Sequence, residues 1–200
     1  MNQSTAATPR SEPDVDRSAP LKPSEIFPFP LDDFQLEALD ALNQGHSVVV
    51  SAPTGSGKTL IGEYAIHRAL AHGQKVFYTT PLKALSNQKL RDFRDQFGAE
   101  NVGLMTGDLS VNREASIVVM TTEIFRNMLY AEADEHDDPL ADVEAVVLDE
   151  CHYMNDSQRG TVWEESIIHC PPTVQLVALS ATVANAGQLT DWIEKVHGPT

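Results

Sequence analysis

Ala52-Pro53-Thr54-Gly55-Ser56-Gly57-Lys58-Thr59 stands between an apolar run, Ser47 to Ala52, and a stretch with helical spacing, Thr59 to Ala71, that Gly73 closes. The run is rich in Val and reads as a strand buried on both faces. A Gly-rich string with a strand before it and a helix after it reads as a phosphate-binding loop, the alternative being a turn without a ligand. Small residues let the backbone curl so that successive N–H groups point inward. The helix N-terminus adds its positive dipole, and together they hold a triphosphate. Lys58 is placed to reach the β and γ phosphates, and the Thr59 hydroxyl to ligate Mg2+. Ala52 stands where the usual pattern has Gly, and one methyl there removes no amide donor.

Outward from this string the alternation continues to the end of the chain. Apolar runs at Lys75 to Thr80, Ser116 to Thr121, Ala145 to Asp149 and Val174 to Ser180 read as further buried strands. Helical spacing recurs at Leu82 to Phe97, closed by Gly98, at Glu123 to Tyr130 and at Val162 to His169. Strand alternating with helix implies an α/β domain: a parallel sheet with helices on both faces, which binds ligands at the carboxyl ends of its strands. The run Ala145-Val146-Val147-Leu148 delivers Asp149 and Glu150 to that edge. Asp149 is the candidate to hold Mg2+, directly or through water, and Glu150 the candidate to orient or deprotonate an attacking water. Adjacent residues of a strand point opposite ways, so this pair cannot flank one bond as glycosidase carboxylates do.

The 200 residues carry 14 Lys plus Arg against 29 Asp plus Glu, a formal charge of −15, with 42% hydrophobic residues. That balance argues against coating nucleic acid through bulk positive charge, though it leaves room for a local groove. No apolar run approaches the roughly 18 residues that cross a bilayer, so no membrane partner is expected. Cys151 and Cys170 lack zinc spacing and read as reduced thiols of a cytoplasmic protein. Half of the 12 prolines lie in the first 30 residues. Residues 1–24 read as a disordered leader and residues 25–200 as the folded domain; an organelle-targeting leader is the competing reading, against which Glu12, Asp14 and Asp16 speak. Glu132 to Asp142 holds six acidic residues in 11 positions and reads as a solvated loop. Lys89, Arg91 and Arg94 read as a solvated helix face, and Met105, Trp163, Ile167 and Ile168 as core.

Asp149-Glu150-Cys151-His152 has the form Asp-Glu-x-His, and with it the chain resembles the DExH-box helicases of superfamily 2. Thr80-Pro81-Leu82-Lys83-Ala84-Leu85-Ser86-Asn87-Gln88-Lys89 resembles their first nucleic-acid motif. Thr106-Gly107-Asp108 and Thr121-Thr122-Glu123 resemble the next two, and Ser180-Ala181-Thr182 the motif that couples the two ligand sites. Phe27-Pro28-Phe29 and Leu31-Asp32-Asp33-Phe34-Gln35 are similar to the adenine-reading segment of the superkiller and Mtr-type RNA helicases. The resemblance covers about residues 26–200 and implies a RecA-like first motor domain with ATP and Mg2+ as cofactors. It implies that Phe29 stacks on adenine and Gln35 reads its edge, the plainer readings being core packing for Phe29 and a solvent-facing side chain for Gln35. It implies that His152 links the nucleotide site to Ser180 and Thr182. It further implies that Pro81, Lys83, Ala84, Gly107, Thr121 and Thr122 contact the backbone of single-stranded RNA, with DNA the alternative, through N–H groups and hydroxyls that do not read bases.

Members of that family carry a second motor domain with arginine fingers, and RNA-processing partners. This chain has no Gln-x-x-Gly-Arg-x-Gly-Arg string, and Arg113, Arg126 and Arg159 are misplaced to substitute. It is therefore expected to be the first part of a longer motor, hydrolysing ATP slowly alone, since such an arginine is worth roughly three to five powers of ten in rate. Two other classes stay open: another phosphate-loop enzyme, such as a kinase or transport ATPase, and a noncatalytic module that kept the fold.

Overall fold

Runs of Val, Ile and Leu fill the strands because both faces of the sheet are covered. In the computed structural model, which describes residues 21–130, 138–152, 160–182 and 185–200, these strands are β1 (Val48–Ser51), β2 (Lys75–Thr80), β3 (Val102–Met105), β4 (Ser110–Val111), β5 (Ile117–Thr121), β6 (Val143–Leu148) and β7 (Gln175–Ser180). They form one sheet in the order β1-β7-β6-β2-β5-β3-β4, parallel except for β4, which runs antiparallel to β3. Register places Ser51 beside Ser180, Tyr78 beside Val147 and Thr80 beside Thr121, so the carboxyl ends of the six parallel strands share one edge. The expected parallel α/β architecture is the observed one.

The helices are α1 (Pro23–Ile26), α2 (Asp33–Asn43), α3 (Thr59–His72), α4 (Lys83–Phe97), α5 (Thr122–Tyr130), α6 (Gly160–His169) and α7 (Ala186–Val196). Side chains alternate across each strand, and the core divides accordingly. Val76 and Tyr78 join a cluster with Leu39, Ile61, Ile66 and Phe93 under α2, α3 and α4. Phe77 faces the opposite cluster, with Phe125, Trp163, Ile167 and Ile193 under α5, α6 and α7. Gly73 ends α3 in the left-handed conformation, φ +70°, donating its N–H to the carbonyls of Ala69 and Leu70. At the amino ends of the strands, buried Glu144 binds Arg68 Nε at 2.7 Å and His72 Nδ1 at 2.8 Å, tying α3 to β6.

Several expectations are corrected. Of the expected leader, residues 1–20 lie outside the described residues; at its end Pro23 opens α1, and the Leu21 carbonyl accepts the Tyr64 hydroxyl at 2.8 Å. Ile168 is 49% exposed, because Ile167 takes the inward face of α6. Lys89 is not solvated: its ammonium lies over the rings of Tyr78 and Phe93, while Arg94 donates to the Val102 carbonyl at 3.5 Å. Of the acidic stretch, 132–137 lie outside the described residues, whereas Asp138 caps the Leu140 N–H at 2.9 Å and Leu140 is buried. Strands β3 and β4 and helix α7 were not anticipated. Among the described residues, no helix is long and apolar enough to cross a membrane.

Candidate functional site

The loop after β1 owes its shape to its glycines. Gly55 and Gly57 both stand at φ +84°, a region that a side chain rarely adopts. A Cβ on Gly57 would lie 2.6 Å from Gln35 Nε2, so the loop also needs Gly there for close approach. Pro53, Thr54, Gly55 and Gly57 are exposed, while Ala52, Ser56, Lys58 and Thr59 are half-buried and Thr59 opens α3. Lys58 Nζ donates to the carbonyls of Ala52 and Pro53 at 2.7 and 2.8 Å, bridging the start of the loop. Ser56 Oγ is buried with no partner among the described residues. An orphaned hydroxyl, exposed amides at positive φ and an ammonium held at the loop fit a phosphate group.

Gln35 is buried, not solvent-facing. Its side-chain oxygen accepts the Asp32 N–H at 2.9 Å, completing a capping box at the start of α2, and its amide donates to the Gly57 carbonyl at 3.2 Å. It thus braces the phosphate loop from α2. Phe29 is 52% exposed, its ring centroid 5.9 Å from buried Phe27, and it has an open face for stacking rather than a place in the core.

At the end of β6 the ladder continues one residue further, with the Asp149 N–H donating to the Thr79 carbonyl at 3.0 Å. Asp149 is buried. Its Oδ1 accepts the Glu150 N–H at 2.9 Å, its Oδ2 accepts the Tyr78 hydroxyl at 2.7 Å, and Lys89 Nζ lies 3.7 Å from Oδ2. Burial, then the Asp149 charge, push the Tyr78 phenol well above its usual range, so it stays a donor. Glu150 turns the chain at φ +56° and sets its Oε2 3.2 Å from His152 Nδ1. That same nitrogen accepts the Ala181 N–H at 3.2 Å. Nδ1 serves the carboxylate when protonated and the amide when not, so one proton decides which neighbour it holds. His152 therefore meets the coupling segment through the main chain of Ala181. Ser180 is buried against Cys151, whose thiol burial pushes up to about 12, and Thr182 is exposed. Among the described residues no three His, Cys, Asp or Glu side chains form a metal cluster. One carboxylate with a loop hydroxyl instead suits Mg2+, which takes its remaining ligands from phosphate and water.

Beyond β2, a cavity of about 390 Å³ opens on the same edge. Pro81, Leu82, Lys83, Thr106, Gly107, Asp108, Thr121 and Glu123 line it, so four of the six expected nucleic-acid residues are brought together. Lys83 pairs with Asp108 across it, and Thr106 Oγ1 donates to Asp108 at 3.0 Å. Lys83 first and Thr106 second hold the Asp108 carboxyl below its usual range. Two expected residues lie apart from the lining. Ala84 is exposed on the first turn of α4, and Thr122 is buried, its hydroxyl donating to the Thr80 carbonyl at 3.2 Å. Thr122 thus fastens α5 to β2. Tyr78, Lys89 and Glu123 were missed as site residues. The signal for Tyr78 was available: a phenol in a strand buried on both faces must find a polar partner.

A phosphate loop and an Asp-Glu strand end on one edge of a parallel sheet, beside a cavity lined by Lys83, Thr106, Asp108, Thr121 and Glu123, define an α/β domain of the phosphate-loop class. The DEAD/DEAH box helicase family matches residues 32–189, and the chain belongs to that family. It is 57% identical over 177 residues to the DExH-box ATP-dependent RNA helicase DExH15, chloroplastic, of Arabidopsis thaliana, covering 88% of this chain and 15% of that one. It is 51% identical over 171 residues to the antiviral helicase SKI2 of Saccharomyces cerevisiae, covering 86% and 13%. The chain thus spans less than a fifth of these relatives. Among solved structures, helicase Lhr of Mycobacterium smegmatis bound to ssDNA and AMP-PNP aligns with a TM-score of 0.65 at 27% identity, over 84% of this chain and 25% of that one.

Proposed function

We propose that this domain is the first half of an ATP-driven RNA-remodelling motor, with its nucleotide site on the β1, β7 and β6 ends and its RNA groove on the β2, β5 and β3 ends. The observation that carries the reading is this division of a single sheet edge. The phosphate loop and Asp149-Glu150 occupy one contiguous half, and the cavity around Lys83 and Thr121 the other.

In this reading Phe29 and Gln35 receive the adenine, and the residues 52–59 receive the phosphates through loop N–H groups. Lys58 exchanges its carbonyl partners for phosphate oxygens, and Thr59 and Asp149 hold Mg2+, which supplies charge neutralisation at the phosphates. Glu150 orients a water in line with the terminal phosphorus and takes its proton on the carboxylate as the oxygen attacks, while the bond from that phosphorus to the bridging oxygen breaks and ADP leaves with its electron pair. His152 transmits the change to Ala181 through Nδ1. Pro81, Lys83, Gly107 and Thr121 hold sugar and phosphate without reading sequence.

The test is ATP hydrolysis by a protein carrying this domain followed by a second motor domain, with and without single-stranded RNA. RNA is expected to raise the rate, and more than single-stranded DNA of the same sequence. Equal rates with and without nucleic acid would point to another phosphate-loop NTPase, and no hydrolysis at all to a noncatalytic module.

A further inference from the structure

The two halves of the sheet edge meet where β6 lies beside β2, and one side chain crosses that seam. We propose that Tyr78 is a positioning residue for the metal-binding carboxylate, its hydroxyl fixing Asp149 so that the carboxylate's free lone pairs face the phosphate loop. The inference rests on the reading of Asp149 as a Mg2+ ligand. A carboxylate offers about four acceptor sites on its two oxygens. The Glu150 N–H takes one on Oδ1 and the Tyr78 hydroxyl one on Oδ2. Oδ1 keeps a site for a metal or its water, Oδ2 lies between the Tyr78 hydroxyl and the Lys89 ammonium, and neither oxygen can turn without losing a bond in a buried setting.

Tyr78 is itself immobile. It is fully buried, lies at 4.9 Å and a steep angle to the Phe93 ring, and sits in register with Val147, two residues before Asp149. Lys89 closes the arrangement from α4, its ammonium 5.2 Å above the Tyr78 ring and 3.7 Å from Asp149 Oδ2. Both residues belong to segments that end in the nucleic-acid groove: β2 runs on to Thr80 and Pro81, and α4 begins at Lys83. Outer partners of this kind set the direction in which a metal ligand presents its lone pairs, and losing one costs roughly 10–100-fold in metal affinity.

Tyr78→Phe removes the hydroxyl and keeps the ring. The experiment measures two affinities of the chain, its Asp149→Asn variant and its Tyr78→Phe variant. The first is for a fluorescent ATP analogue in EDTA. The second is for Mn2+ in the nucleotide complex, read by electron paramagnetic resonance. The expected result is unchanged affinity in EDTA with Mn2+ affinity roughly 10–100-fold lower for Tyr78→Phe. Wild-type Mn2+ affinity in Tyr78→Phe overturns the proposal. A fall in the EDTA affinity as large as that for Mn2+ overturns it too, since the hydroxyl would then serve the fold in general. If Asp149→Asn binds Mn2+ as the wild type does, it is the assignment of Asp149 that fails, separately from that of Tyr78.

Discussion

Glu150 holds a left-handed backbone conformation, φ +56°, of a kind that costs a non-glycine residue of the order of 1–2 kcal/mol. The strain is confined to the turn that follows β6, where it points one carboxylate inward and the next toward His152. Glu150→Gln keeps the shape and one acceptor oxygen, exchanges the other for an amide donor, and cannot accept a proton. It is expected to leave nucleotide affinity within about twofold and to lower hydrolysis by roughly 10²–10⁴-fold, read by equilibrium binding and by single-turnover phosphate release. A parallel fall in both would show that Glu150 binds rather than acts. Lys83 and Asp108 make the matching case in the groove. The pair is exposed, so it opens at little cost, and Asp108 competes with phosphate for the one lysine there. Asp108→Asn is expected to tighten binding of single-stranded RNA a few-fold and Lys83→Ala to weaken it, in fluorescence anisotropy. The short motifs were legible because each side chain there has one chemical use. For Tyr78 the need of a polar partner was legible but not the partner, and for Lys89 neither was, since both depend on Asp149, 71 and 60 residues away.

At the scale of elements, the strands that alternate with long helices could be read from Val-rich runs bounded by Gly. Strands β3 and β4 could not, since Val102-Gly103-Leu104-Met105 is brief and interrupted, and Ser110-Val111 is only two residues long. β3 exists through pairing with β5, and β4 through pairing with β3, a tertiary cause in both. The link from α2 to the phosphate loop is likewise tertiary. Gln35 caps its own helix and reaches Gly57, so loop and helix move as one unit. Gly57→Ala would impose a side chain at φ +84° and place its Cβ against Gln35 Nε2. The variant is expected to lose about 1–2 kcal/mol of stability in urea unfolding, and nucleotide affinity with it. A variant with wild-type stability would mean that the loop relaxes freely and that Gln35 does not brace it.

Across the whole molecule, the charge of −15 and the proposed RNA groove are compatible because the groove, lined by Thr106, Gly107, Thr121, one lysine and the carboxylates of Asp108 and Glu123, would hold a strand by local polar contacts rather than by a basic field. In the sheet order β2 lies between the proposed nucleotide site, toward β1, and the proposed nucleic-acid groove, toward β3. The two ligands are thereby assigned to separate halves of one edge. The direct measurement is the shift of backbone amide resonances in the isotopically labelled chain on addition of ATP analogue with Mg2+, then of single-stranded RNA. The nucleotide is predicted to move residues 54–59 and 149–152, and RNA to move residues 82, 83, 106–108 and 121 while the nucleotide stays bound. RNA shifts confined to the α5 and α6 face, or RNA and nucleotide displacing each other from residues 54–59, would show that the edge is not divided in this way.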